Sequence, residues 1–272
     1  MCKVLDVSRS GYYDWVKRAM SRREISNQQL DAQIHQIYKD HVGRYGYRRI
    51  CEELRDLGLF ASLERVRRRM KRLGLRGIQS RKFKHTTNSK HCLPIMPNLL
   101  KQDFNPQYMN QAWVGDITYI RVKQQWLYLA VVIDLYSRKV IGWAFNERIN
   151  AKLVCHALKS ALHNRNYPKK VIVHTDRGSQ YCSKAYQRII KSYQLISSMS
   201  GKGNCYDNAA CESFFHTLKV EYVYQLSFES IQQAKTMIFW FIEAYYNRKR
   251  KHSTIGYQSP VKFEAVNLNI AA

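Results

Sequence analysis

The chain has 272 residues, with 45 Lys and Arg against 20 Asp and Glu, so its formal net charge is +25. Residues 1–100 hold 22 of these cations against 9 acids, which excludes a single basic tail and indicates a long polyanion such as nucleic acid as the partner. The seven scattered cysteines and the short apolar runs exclude a zinc ribbon, a secreted disulfide framework and a membrane span, so we expect a cytoplasmic, nucleoid-associated protein with no membrane partner.

The first 80 residues predict small helices that bind DNA. Residues 1–20 resemble the turn and second helix of a helix-turn-helix, and we expect the missing first helix upstream; an ordinary N-terminal helix is the alternative. Residues 21–80 predict a helix-turn-helix-like domain, with helices over 24–40 and 47–57 and a third helix that Ser62 caps and Gly74 ends. That third helix is rich in arginine. Its charge favours binding to a polyanion over the alternative, a basic helix face that is exposed only to solvent. We expect its DNA contacts to be Arg65, Arg68, Arg69 and Arg72.

Residues 81–106 are polar, basic and then proline-containing, and we interpret them as a linker. The remainder predicts a core over 107–265 and a tail over 266–272. Three strands in succession precede alternating helices and strands, which is typical of an α/β sheet with helices packed on it. The expected strands are 113–122, 126–133, 138–145, 171–175 and 195–200, and the expected helices are 152–164, 183–193, about 208–224 and 229–247.

Three acidic residues of this core suggest a catalytic site. Asp116 lies in the first strand, Asp176 ends the buried strand 171–175, and Glu212 lies in the first turns of a helix. Bare carboxylates in so basic a chain favour a hard divalent cation such as Mg²⁺, and two such ions about 4 Å apart can clamp a phosphodiester. Each acid taken singly has an ordinary alternative, as a surface, turn or helix N-terminal residue. Lys219, two helical turns after Glu212, can present a cation to a phosphate.

The segments 113–120, 174–181 and 203–215, together with 245–252 and 256–260, resemble the integrase-type catalytic core of bacterial insertion-sequence transposases, in particular the orfB product of the IS-three family. The resemblance covers nearly the whole chain. It implies a ribonuclease-H-like α/β core, with a mixed five-stranded sheet and flanking helices, after a small all-α helix-turn-helix-like domain. It also implies a DDE triad of Asp116, Asp176 and Glu212 that holds two Mg²⁺ ions, with Mn²⁺ as a substitute.

The function implied by this resemblance is cleavage at the 3′ ends of an insertion sequence, followed by strand transfer from the freed 3′-hydroxyl. Lys219 would contact DNA near the scissile phosphate, with Asn208, Asn247 and Arg248 in support; a solvated charge run over 248–251 is the alternative. The implied partners are terminal inverted repeats, target DNA, further copies of the chain and an upstream-frame (orfA) product. Two other functions stay open: a nuclease that never joins strands, and a non-catalytic DNA-binding regulator of transposition.

Overall fold

The computed structural model describes residues 2, 4–78, 96–101, 103–201 and 208–270. The chain forms two compact units, Met1–Ile78 and Gln79–Ala272, each with its own apolar core. Most of the predicted linker, residues 81–95, lies outside the described part of the chain. In the described ranges no helix is both long and apolar enough to cross a membrane.

The first unit is helical, as predicted. Serine N-caps at Ser8, Ser21 and Ser62 each accept a hydrogen bond from the amide three residues on, which fixes where three of the helices begin. The core lies between the last three helices and is built on fully buried aliphatic side chains, whereas the first helix buries none of its residues. The helices are α1 (Arg9–Lys17), α2 (Arg22–Asp40), α3 (Tyr47–Asp56) and α4 (Leu63–Arg72).

The second unit is built on one mixed sheet, which confirms the predicted α/β class. Its described strands are β1 (Ala112–Val122), β2 (Gln125–Asp134), β3 (Val140–Asn146), β4 (Ile172–Thr175) and β5 (Ile196–Met199). Their order is β3-β2-β1-β4-β5. The three long strands pair antiparallel, and β4 runs parallel to both β1 and β5. The strand that carries Asp116 therefore lies in the middle, beside the strand that ends before Asp176.

Helices cover both faces of the sheet because alternate residues of each strand point to opposite sides. Trp113, Ala130 and Val132 pack with α5 (Ala151–Asn164) and α6 (Lys184–Ser192). Val114, Leu129 and their same-face neighbours pack with α7 (Ala209–Glu221) and α8 (Ile231–Trp240). Two apolar layers thus hold the sheet, and the second layer fixes the helix that carries Glu212.

The end of the chain differs from the prediction of one helix over 229–247. After α8 the chain widens into a π-helical turn, Phe241–Tyr246, in which the amide of Asn247 donates to the carbonyl of Ile242. A further helix that the sequence analysis did not predict, α9 (Pro260–Ile270), follows. The predicted boundary between core and tail, at 265/266, therefore falls inside a helix.

Candidate active site

Two of the three acids lie side by side at the end of a parallel strand pair. Gly115 of β1 is in register with Thr175 of β4, so the next residues of the two strands are Asp116 and Asp176. Each carboxylate accepts one local backbone hydrogen bond, from Ile117 at 2.8 Å and from Gly178 at 2.9 Å respectively. The carboxyl end of parallel strands is where α/β sheets place their ligands. The local bonds orient both acids at that edge.

The third acid comes from α7. Glu212 lies in the first turn of that helix, where the helix dipole favours a negative charge. Its neighbour Cys211 is fully buried, and burial raises the pKa of this thiol, as do the charges of Asp116, Asp176 and Glu212. All three carboxylates thus act on one buried thiol. The structure brings together the three acids that the sequence analysis singled out.

The ionisation of Asp116 is perturbed by burial and by the other two acids. Burial raises the pKa of Asp116 well above its ordinary value, and the charges of Asp176 and Glu212 add to that rise. The amide of Ile117 and the charge of Lys219 act in the opposite direction. Burial lowers the pKa of Lys219, while Asp116 raises it. A bound cation would relieve this repulsion, so the electrostatics of the site fit a positively charged ligand.

The donor chemistry fits a hard divalent metal. All three side chains offer carboxylate oxygens, each only partly buried, and Mg²⁺ takes such ligands while it keeps waters or phosphate oxygens. Among the described residues, no three His, Cys, Asp or Glu side chains already stand at metal-ligand spacing. Asp116, Asp176 and Glu212 are the residues that would hold the cation.

The predicted DNA contacts of α4 fall into two groups. Arg68 and Arg72 are exposed, and Arg68 forms an ion pair with Glu64 at 2.9 Å. Arg65 is partly buried and donates hydrogen bonds to Ser26 and Asn27 of α2. Arg69 differs from the prediction. Its side chain is only 13% exposed and is paired with Asp31, so it holds α4 against α2 and offers no free guanidinium to DNA.

Near the C-terminus the structure corrects a second prediction. Asn247 is buried, and its amide exchanges two 3.0 Å hydrogen bonds with the backbone of Val140 in β3. The side chain therefore completes the hydrogen bonding of a sheet residue and has no surface for DNA. Arg248 is exposed, as a DNA contact requires. Asn208 stands at the N-cap position of α7 and is buried, and its side-chain oxygen has no hydrogen-bond partner among the described residues.

The sequence analysis missed a structural residue in the charge run 248–251. Arg250 is buried, and its guanidinium forms a two-pronged ion pair with Glu221 at the end of α7, at 2.6 and 2.9 Å. Thr217, one helical turn earlier in α7, accepts a further bond at 3.3 Å. The available signal was a glutamate and a threonine on the apolar side of α7, which need a partner when they are buried.

Comparison with known proteins agrees with this architecture. The integrase core domain family matches residues 106–205, a second integrase core domain family matches 194–260, and an HTH-like domain family matches 24–83. In fold, a chain of the simian T-cell lymphotropic virus intasome, in complex with PP2A regulatory subunit B56 gamma, is similar with a TM-score of 0.51. It is 20% identical, and the match covers 65% of this chain and 60% of that one. The family matches thus give the chain an integrase-type core, of the polynucleotidyl transferase class.

Two relatives of similar sequence identify the family within this class of enzyme. Transposase InsF for insertion sequence IS3A of Escherichia coli (strain K12) is 48% identical, over 98% of this chain and 94% of its own length. The insertion element IS600 uncharacterized 31 kDa protein of Shigella sonnei is 43% identical over the full length of both chains. The chain belongs to the IS3 family of insertion-sequence transposases. Its class of activity is therefore DNA transposition.

Proposed function

We propose that Asp116, Asp176 and Glu212 hold two Mg²⁺ ions, for which Mn²⁺ can substitute, and that this site both cleaves the 3′ ends of the element and joins them to target DNA. The observation that carries the proposal is the register of β1 with β4, which ends at Gly115 and Thr175 and so makes Asp116 and Asp176 the next residues of the two chains. The pKa of Asp116 is raised by burial and by the neighbouring acids. Carboxylates that repel one another in this way are suited to a shared cation.

The residues of the site have separate roles in the proposed reaction. Divalent cations, when bound, stabilise the charge on the attacking and leaving oxygens of the phosphodiester. The backbone bonds from Ile117 and Gly178 keep the aspartates oriented toward the edge of the sheet. Lys219 interacts with Asp116 from α7, so its ammonium can bind a phosphate beside the acids. No covalent protein nucleophile is required, because the DNA 3′-hydroxyl attacks in the joining step.

The DNA contacts are proposed at cations that are exposed or only partly buried, and at one buried amide, Asn208. Arg65, Arg68 and Arg72 of α4 suit phosphate and base contacts of the helical domain, as the sequence predicted. Lys219 and Arg248, with Asn208 in support, would contact DNA in the catalytic core. The partners would be the terminal inverted repeats, target DNA, further copies of this chain and an upstream-frame product, at the nucleoid in the cytoplasm. Family membership does not favour the nuclease or the non-catalytic regulator.

The test is an assay of strand cleavage and joining with Mg²⁺ on labelled DNA that bears the element's own ends. Wild type should yield joined product, Asp176→Asn should yield none, and Asp103→Asn, an exposed aspartate, should match wild type. Cleavage without joining, on intact target DNA, would replace the proposal with a nuclease. DNA binding by all three proteins with no cleavage in Mg²⁺ or Mn²⁺ would replace it with a regulator.

A further inference from the structure

Two aromatic side chains on the β1–β2 hairpin are exposed next to each other. Tyr119 is 51% exposed and Trp126 is 43% exposed. Their ring centroids are 5.3 Å apart, and the ring planes are nearly perpendicular, at 84°. Exposed apolar residues are ordinary in soluble proteins, and this pair differs from others because a cation lies against each ring. We call this pair, with the two cations described next, the hairpin platform.

A cation accompanies each ring. The Lys219 ammonium lies 4.5 Å from the centroid of the Tyr119 ring, and the Arg121 guanidinium carbon lies 5.5 Å from that of Trp126. The Arg121 side chain is also held by a 3.0 Å hydrogen bond to the carbonyl of Lys123. Aromatic rings that stack on bases, among cations that follow the phosphates, are the means by which proteins bind single-stranded nucleic acid. The combination fits a nucleotide better than it fits an apolar protein surface.

The hairpin platform is continuous with the acids. Tyr119 follows Asp116 by three residues of an extended strand, a separation of about 10 Å along it, and the two side chains leave opposite sides of the strand. Lys219 interacts both with the Tyr119 ring and with the charge of Asp116, so it joins the two places directly. The register of β1 with β4 covers only Ala112–Gly115, so the part of β1 between the acid and the hairpin platform lies beyond that pairing. A DNA strand at the acids has a short path to the exposed rings.

We propose that the hairpin platform binds an unpaired base of the DNA strand beside the phosphate that the acids cleave. The proposal rests on the proposed function in that it takes Asp116 as part of the cleavage site. A base inside a duplex keeps both faces in its own stack, so an exposed ring can stack on an interior base only after that base has left its pair. The ligand is therefore a frayed or single-stranded nucleotide, and the intact duplex binds elsewhere.

The test measures affinity, so it can be read even if cleavage fails. Fluorescence anisotropy compares two labelled DNAs of equal length and sequence from the element's end, one fully paired and one with three unpaired terminal nucleotides. Wild type should prefer the frayed DNA. Trp126→Ala should bind the frayed DNA about 5- to 150-fold more weakly and the paired DNA nearly as wild type does, which is the range expected for one lost base stack. Trp126→Phe, which keeps a ring, should retain most of the preference.

Two control variants distinguish this proposal from a general effect of removing an exposed ring and from failure of the catalytic proposal. Tyr167 is 49% exposed and stacks on Tyr193, away from these cations, so Tyr167→Ala should bind both DNAs as wild type does. Asp176→Asn should lose cleavage and keep the preference for frayed DNA, which distinguishes failure of the hairpin platform from failure of the catalytic proposal. The proposal is overturned if Trp126→Ala keeps the wild-type preference, or if it weakens binding to both DNAs by the same factor.

Discussion

The buried ion pair between Arg250 and Glu221 offers a quantitative test of how α7 is held. The two side chains are 5% and 10% exposed, and they meet through two hydrogen bonds. Burial lowers the pKa of Arg250, but the bonds and charge of Glu221 outweigh this effect and raise it. Arg250→Met removes the guanidinium, keeps much of the apolar stem and leaves the carboxylate of Glu221 buried without its cation. The same α7 carries Glu212 and Lys219.

The expected magnitudes follow from burial. Removing one partner of a buried ion pair costs about 3–5 kcal/mol, so Arg250→Met should lower the free energy of unfolding by that amount. The double variant Arg250→Met/Glu221→Leu removes both charges and should recover most of the loss, because an apolar pair of similar volume is often as stable as the ion pair. With the single variant Glu221→Leu completing the cycle of four proteins, its coupling energy should be about 3 kcal/mol. Arg248→Met, an exposed neighbour, should change stability by less than about 0.5 kcal/mol.

Urea unfolding followed by tryptophan fluorescence measures all four proteins, because Trp113 is fully buried in the core. A loss below about 1 kcal/mol for Arg250→Met would show that the pair behaves like a surface ion pair and would refute the reasoning. A double variant as unstable as the single variant would show that packing around Arg250, and not its charge, holds α7.

Three further predictions use the same kind of measurement. Burial and the charge of Asp176 raise the pKa of Asp116, so without metal the folded protein retains a proton that the unfolded chain releases above about pH 4, and stability should fall as pH rises toward the raised pKa. Asp134, whose pKa burial raises to about 6, adds a slope of the same sign. Asp116→Asn should therefore make the slope shallower and raise the unfolding temperature at pH 7 in EDTA, as measured by calorimetry. Tyr181→Phe should stabilise the core by about 1 kcal/mol in urea, because the buried hydroxyl has no hydrogen-bond partner among the described residues. A Cβ at Gly142 would lie 2.4 Å from the carbonyl oxygen of Ala157, so Gly142→Ala should force β3 from α5 and cost about 3 kcal/mol.

Each of these three predictions has an outcome that would contradict it. A wild-type profile without slope between pH 4 and 8, or one no different from that of Asp116→Asn, would contradict the first, with exposed Asp103→Asn as control. A less stable Tyr181→Phe would mean that the hydroxyl makes a favourable bond. A loss below about 0.5 kcal/mol for Gly142→Ala would mean that the strand and helix move apart easily.

The sequence predicted the structural features that depend on local residue patterns. Alternating apolar residues gave the strands within one or two residues, and Asp176 at the end of a β-branched run indicated the ligand edge of the sheet. Partners distant in the chain could not be predicted in this way. Asn247 bonds to Val140, 107 residues away, and Arg250 to Glu221, 29 residues away, so both appeared to belong to a polar surface. The π-helical turn after α8 was missed because a regular helical period continues across it.

The anchorage of α9 has a consequence for synthesis of the chain. The Arg165 side chain is 8% exposed and lies between Asp134, at 3.3 Å, and Glu264 of α9. Glu264 also binds Ser137 and Lys139. One carboxylate precedes Arg165 by 31 residues, and the other follows it by 99. A ribosome adds about 5–20 residues per second, so a nascent core waits several seconds or more for its second counter-charge. Full packing at this end of the core is thus coupled to late translation, and it is completed only after α9 has emerged.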